Sequence, residues 1–243
     1  MPEGPSIYIL RENVAKFIGR KVMAVEGNAP MDIQQLQGKT IKAIRSWGKH
    51  LLIEFPKITV RIHLMLFGSY SVNSKKKYAP RLSLQFSNGE ELNFYTVQMV
   101  LIEEPLNKVY DWKVDIMGDK WSANHVLKLL REEHPKDKAC DVLMNQNLFA
   151  GCGNIIKNEV LWQARIHPLA TIENIPARKL REMTNKCSKY SFDFLKWKRK
   201  GELSKHFEVY EQSKCPNGHK LTVKNTGKSH RRSYFCTNCQ VEY

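Results

Sequence analysis

The apolar positions of this chain change period twice. Ile7, Leu10, Val14 and Phe17 recur at helical spacing behind Gly4-Pro5-Ser6, which predicts an amphipathic helix capped near Ser6. From about residue 20 to 103 the period becomes two, clearest in Val60, Ile62, Leu64 and in Leu82, Leu84, Phe86. Ser87-Asn88-Gly89-Glu90 is a hairpin turn within that stretch. Beyond Asp111–Asp119 the strands stop and helical spacing returns: at Val126, Leu129 and Leu130, then over 141–149, 154–164 and 177–197. The last 33 residues read as short turns and strands around cysteines, too few to bury a core without a staple. The pattern predicts an α+β chain in three parts. These are an N-terminal antiparallel β-sandwich or barrel with a flanking helix (1–119), a helical domain (120–208) and a metal-stapled hairpin (209–243).

Composition changes this picture in one respect. The formal net charge is +15 and the sequence pI about 9.5, which points to a polyanion, with nucleic acid before an anionic membrane. The excess is concentrated: residues 196–235 carry eleven Lys or Arg against three Glu. Lys75–Lys77 read as the solvated tip of a loop. There is no run of 18 apolar residues, and the start MPEGPSIYIL is unlike a signal peptide. The expectation is an intracellular protein of cytoplasm or nucleoid with no membrane partner.

Three features carry chemistry. Cys215-x3-His219 and Cys236-x2-Cys239, sixteen residues apart, supply the four ligands of one closed, structural zinc ion with no position for a catalytic water. Between them, Lys224–Arg232 forms a basic turn, including Arg231 and Arg232, suited to gripping phosphate. Upstream, a helix, a Gly-containing turn and a second helix opening at Asn154 as N-cap offer free amides to an anion, with Lys157 and Lys189 adding charge. At the N-terminus, removal of Met1 would expose the secondary amine of Pro2. An α-amine titrates near about 7.7–8.0 and is partly a free nucleophile at neutral pH. Glu3 is placed to move protons for it. Charge and finger alone fit a catalytically silent DNA-binding module, or a zinc-stapled RNA-binding protein, as well as an enzyme.

Several motifs in order narrow the choice: MPEGP at the start, SWGKHLLIEF around Lys49, HLMLFGS at 63–69, LFAGCGNIIKNEV…ARIHP at 148–168, HFEVY at 206–210 and the terminal CTNCQ. Together they resemble the Fpg/Nei family of bifunctional DNA glycosylases, on its endonuclease VIII side. The resemblance implies a β-sandwich joined by a hinge to a helix-two-turn-helix domain with a zinc finger, with damaged double-stranded DNA in the cleft of a monomer. It further implies Pro2 as Schiff-base nucleophile and Glu3 as acid/base. Lys49 would neutralise a phosphate, Asn154 and Arg231 would grip the backbone, and Leu66 would be an intercalating wedge. Removal of an oxidised base would be followed by β- and δ-elimination.

The departures bear on substrate. Ser6 stands where the family has a second glutamate. The family's Asp-Pro-Arg-Arg-Phe-Gly segment has no counterpart in Tyr95–Leu101, leaving Gln98 or Met99 as the nearest substitutes. The connection from Trp197 to His206 is too short for a loop that closes over 8-oxoguanine, which favours oxidised pyrimidines.

Overall fold

The structure is a computed structural model and describes residues 2–243. Met1, whose removal would expose Pro2, lies outside the described residues. The chain divides into two compact units, one of Ser6–Tyr110 with the N-terminal Pro2, the other of Glu3–Pro5 with Asp111–Tyr243.

In the first unit, helix α1 (Gly4–Val14) continues as a 3-10 turn to Phe17 and buries Ile7, Leu10, Val14 and Phe17, the four positions its spacing marks. The helix begins at Gly4, ahead of the cap expected at Ser6, because Glu3 and Gly4 are tied down by partners elsewhere in the chain. The strands are β1 (Val22–Glu26), β2 (Ala43–Trp47), β3 (His50–Phe55), β4 (Ile58–His63), β5 (Ser69–Val72), β6 (Leu82–Phe86), β7 (Glu91–Tyr95) and β8 (Gln98–Ile102). They form two antiparallel four-stranded sheets, ordered β1-β6-β7-β5 and β2-β3-β4-β8. One apolar cluster built from both sheets and α1 fills the sandwich, including Val60, Ile62, Leu84, Phe86 and Phe94. Burial of such side chains, at roughly 25 cal/mol per Å² of apolar surface, is what holds it.

The second unit begins at Asp111, somewhat before the boundary expected near 120. Val114–Ile116 is the reason: Ala150 N donates to Val114 O at 2.9 Å and Ile116 N to Ala150 O at 3.1 Å, so this segment is already part of the helical layer. A short helix, α2 (Leu106–Val109), lies near the C-terminal end of the first unit. Helices α3 (Ala123–Glu132), α4 (Ala139–Met144), α5 (Asn154–Ala164) and α6 (Ala177–Arg199) follow, with α5 packed on α6. The hairpin β9 (Thr222–Thr226) and β10 (Arg231–Phe235) closes the chain. It belongs to the same compact unit as the helices. No helix among the described residues is long and apolar enough to cross a membrane.

Candidate nucleic-acid site

The N-terminus of α5 organises the helical unit. A helix start leaves amides without intrahelical partners and carries partial positive charge. Here those amides go to Glu3: its carboxylate accepts from Ile155 N at 2.8 Å, Gly153 N at 3.1 Å and Ile156 N at 3.2 Å. Glu3 is fully buried, and Gly4 N donates to Gly151 O at 2.9 Å. Position 153 must be glycine, because a Cβ there would run into the Glu3 side chain. Two sequence expectations are corrected at this point. Gly153, not Asn154, is the cap residue of α5, and the helix-start anion site is filled by the protein's own carboxylate.

The hairpin lies along α5, held by polar contacts. Asn154 Nδ2 donates to Arg232 O at 3.0 Å, and Asn158 Oδ1 accepts from Tyr234 N at 2.8 Å. Lys157 is buried, with its ammonium 2.9 Å from Ser233 Oγ and 3.3 Å from Arg232 O; burial pushes its pKa down to about 8. Expected to meet phosphate, Lys157 instead fastens β10 to α5, since a fully covered amine has no surface to offer a ligand. Lys189 sits part-way along α6, away from the α5 start in sequence. Arg231 and Arg232 keep exposed side chains. The hairpin tip is clamped as well. Lys228 N donates to Asp141 Oδ1 at 2.7 Å and Lys228 Nζ to Asp137 Oδ1 at 2.6 Å. A Cβ on Gly227 (φ +70°) would collide with the Asp141 carboxylate.

Glu159, a second buried carboxylate, accepts from Tyr210 N at 2.7 Å, Glu208 N at 3.0 Å and Val209 N at 3.1 Å, fixing the segment that leads into the finger. Burial raises its pKa, and the three amide bonds oppose that. Sequence reasoning missed Glu159 and Asp141; a glutamate on a helix carries no local sign that amides about 50 residues away converge on it.

The four proposed metal ligands do come together: the ligand atoms of Cys215, His219, Cys236 and Cys239 all lie within 4.8 Å of one another. His219 Nδ1 faces the thiols, at 3.2, 3.7 and 3.8 Å from the sulfurs of Cys239, Cys236 and Cys215. Ligands about 2.0–2.3 Å from a tetrahedral metal sit about 3.6 Å apart, so the cluster can hold one metal ion. Each pair stands on its own knuckle, closed by Gly218 N to Cys215 O and by Cys239 N to Cys236 O.

In the sandwich, Gly48 at φ +53° and Lys49 form the two-residue turn between the paired Trp47 and His50, which leaves Lys49 partly exposed. His50 and His63 pack edge to face beside it, 5.5 Å between ring centres. Burial, with Arg61, His63 and Lys49 adding to it, lowers the His50 pKa to about 3. Burial, Lys49 and Arg61 lower that of His63. Both rings are therefore neutral at pH 7. His63 Nδ1 accepts from Met65 N at 3.1 Å, and Gly68 N donates to Leu64 O at 2.7 Å, so the β4–β5 turn is fixed at both ends. It presents Met65, Leu66 and Phe67 to solvent, 49%, 53% and 78% exposed. Single exposed apolar residues are ordinary, but three in a row on an ordered turn need a partner. Sequence reading found only Leu66. Of the two substitutes considered for the missing arginine segment, Met99 is in the sandwich core and is excluded, whereas Gln98 is exposed.

Two domain families match the chain in order: the formamidopyrimidine-DNA glycosylase N-terminal domain over residues 1–100 and the H2TH domain of the same enzymes over residues 116–190. Endonuclease 8-like 2 of Mus musculus is 33% identical over 198 residues, 75% of this chain and 58% of that protein. Endonuclease 8-like 3 of Mus musculus is 27% identical over 220 residues, 86% of this chain and 36% of its own length. The chain thus spans less than two thirds of these curated relatives. A viral DNA glycosylase structure superposes with a TM-score of 0.86 at 22% identity, covering 98% of this chain and all of that one. Lactococcus lactis formamidopyrimidine-DNA glycosylase, bound to DNA containing an abasic site, superposes at 0.83 with 23% identity over 98% of this chain and 99% of its own. With both domains present in order, and curated relatives on one side of the family, this chain belongs to the Fpg/Nei family of DNA glycosylases, on its endonuclease VIII-like side.

Proposed function

We propose that the protein is a base-excision DNA glycosylase with AP lyase activity that uses Pro2 as its nucleophile. The observation that supports this most is the anchoring of residue 3. A chain terminus is ordinarily loose. Here Glu3 is held by three backbone amides, and Gly4 by a fourth bond, so the amine one residue earlier starts from a fixed point. A positioned nucleophile is what such chemistry requires.

In the reaction, the Pro2 nitrogen bonds to C1′ and the glycosidic bond breaks, the base leaving with a proton. Opening of the sugar ring gives an iminium, which takes up the electron pair released when a C2′ proton is removed. The 3′ and then the 5′ phosphate depart by β- and δ-elimination. Glu3 is the acid/base group of this reading, Lys49 the phosphate contact beside the sugar, and Arg231 with Arg232 the grip on the backbone. Leu66, with Met65 and Phe67, is the wedge that fills the place of the everted nucleotide. Asn154 contributes to the grip through the β10 strand it holds.

The metal is zinc, bound by Cys215, His219, Cys236 and Cys239. The chemistry of the donor set and its spacing support this, and the ion's part is to hold the two knuckles. Duplex DNA is the substrate and the monomer the working form. Oxidised pyrimidines are the preferred lesions, because the α6–finger connection is short and pinned, with the Trp197 and His206 rings stacked 4.3 Å apart at 9°.

Borohydride added to protein and damaged duplex tests the proposal. A covalent protein–DNA adduct is expected, and Pro2→Gly should bind DNA yet lose most of it. Mass spectrometry fixes the state of the N-terminus in the same sample. No adduct from protein whose Pro2 is demonstrably terminal would leave a silent DNA-binding module as the reading. Faster cutting at 8-oxoguanine than at thymine glycol or 5-hydroxycytosine would overturn the lesion preference.

A further inference from the structure

The sandwich unit carries a concavity of about 300 Å³ lined by Asn28, Tyr78, Ala79, Arg81 and Thr96, none of which has a part in the function proposed above. That volume is at the small end of ligand sites and suits one planar group. Sheet register puts it beside the wedge. Ser69, which follows the wedge turn, pairs with Tyr95, and His63, which precedes it, pairs with Gln98. The turns 64–68 and 96–97 therefore connect the same two pairs of strand ends, and Thr96 (φ +53°) is exposed on the second of them.

The concavity is built. Tyr78 is 52% exposed, yet its ring meets Tyr95 edge to face at 5.3 Å. Lys76 Nζ, fixed 2.6 Å from Ser69 Oγ, reaches Tyr78 Oη at 3.4 Å. Across the opening, Arg81 Nη1 donates to Asn28 O at 2.9 Å and to Asn28 Oδ1 at 3.3 Å, while Nε and Nη2 have no partner among the described residues. Asn28 N donates to Pro80 O at 3.1 Å, and Gly27 packs so tightly on Arg81 O that a Cβ would lie 2.5 Å from it. An exposed ring held in place, a guanidinium with spare donors and a lysine on the same rim form a stacking platform with a phosphate contact.

We infer that this concavity receives the nucleobase left unpaired across from the everted nucleotide, with Tyr78 stacking on the base and Arg81 donating to its edge or to the adjoining phosphate. A wedge that replaces one member of a base pair strands the other, and a site beside the wedge is where the stranded base would be held. The inference rests on the DNA-glycosylase reading above, and it makes Tyr78 and Arg81 specificity-determining residues.

The test uses the full chain and duplexes containing a tetrahydrofuran abasic analogue, with 2-aminopurine placed either opposite the analogue or next to it on the same strand. Binding should change the probe's stacking signal at the opposite position. Tyr78→Phe should retain that change. Tyr78→Ala should abolish it and weaken binding about tenfold, in line with the loss of one stacked base, while binding to undamaged duplex stays the same. An unchanged signal and affinity in Tyr78→Ala, or a Tyr78-dependent signal only at the same-strand position, would overturn the inference while leaving the glycosylase reading intact. If the unaltered protein neither binds the abasic duplex nor is trapped on an abasic site by borohydride, the glycosylase reading fails and takes this inference with it.

Discussion

The two units are held together by different physics. In the sandwich, buried polar side chains are few, Thr59, Ser83 and Asn93, and one apolar cluster spans both sheets. In the helical unit the buried set includes Glu3, Asn154, Lys157, Asn158, Glu159, Thr226 and Ser233; five of them join the hairpin or the N-terminal residues to α5, Glu159 joins α5 to the 208–210 segment, and Thr226 bonds Ser233 across the hairpin. The difference follows from size. Two four-stranded sheets enclose enough apolar area to stand on it, whereas the finger's own cluster amounts to Val209, Cys215, Leu221, Tyr234 and Cys236 around Trp162. A module that small needs staples, and here they are directional polar contacts and a Cys/His cluster able to hold a metal ion. Such contacts fix orientation more sharply than apolar burial, and they fail more abruptly when one partner is removed.

Metal removal should separate the two units most strongly. Chelation, or Cys236→Ser, is expected to erase hydrogen-exchange protection over Thr222–Phe235 and to reduce DNA affinity at least a hundredfold, while Leu51–Phe55 in the sandwich keep their protection. Equal loss in both units would mean that the hairpin is not an independent dependency of the metal.

Next comes Glu3→Gln. The neutral amide puts an N–H2 group against backbone N–H donors that now face oxygen, so about 2–3 kcal/mol should be lost from the helical unit. Borohydride trapping should fall with it. Thermal unfolding read separately by probes in each unit decides whether the sandwich is spared.

Asp141→Ala removes the acceptor for Lys228 N at the hairpin tip, with Asp137 still holding Lys228 Nζ. A loss of about 1–2 kcal/mol, confined to the helical unit, is expected, together with faster exchange of the Lys228 amide.

The smallest effect should be one of pH, and it should fall on the sandwich. His50 takes up a proton near pH 6.5 when unfolded but only near about 3 when folded, so over that interval the unfolded state binds more protons and stability rises with pH. Acidification from pH 7 to 6 should therefore cost about 0.7 kcal/mol, with a flat response above about 7.5. His50→Gln should remove most of the slope in urea titrations followed across that range.

Much of this was legible from local pattern. The α1 stripe, the β6–β7 hairpin at Ser87–Glu90, the extent of α5 and the gathering of the four Cys/His candidates all stand where spacing puts them. Each is a short-range property: period, turn chemistry, or two ligands on one knuckle. Lys157 shows the limit. As a lysine early in a helix behind a glycine turn it reads as a phosphate contact, and its sequence neighbourhood does not contain Ser233 and the Arg232 carbonyl, which bury it. Met65 and Phe67 show the same limit, since only the fold of the turn decides that apolar residues following a strand face outward.

The sequence by itself determined the order of elements, the Cys/His cluster, the basic C-terminal region and the family, because periodicity, spacing and motif order are written along the chain. Tertiary structure alone decided which charged groups meet one another. Glu3 reaches amides 150 residues away, and Asp141 an amide 87 residues away. A buried polar group takes whichever partner the packed chain brings within about 3 Å, and no local pattern specifies that partner. For this reason the α5 anion site, open on the page of the sequence, is filled by the residue next to Pro2.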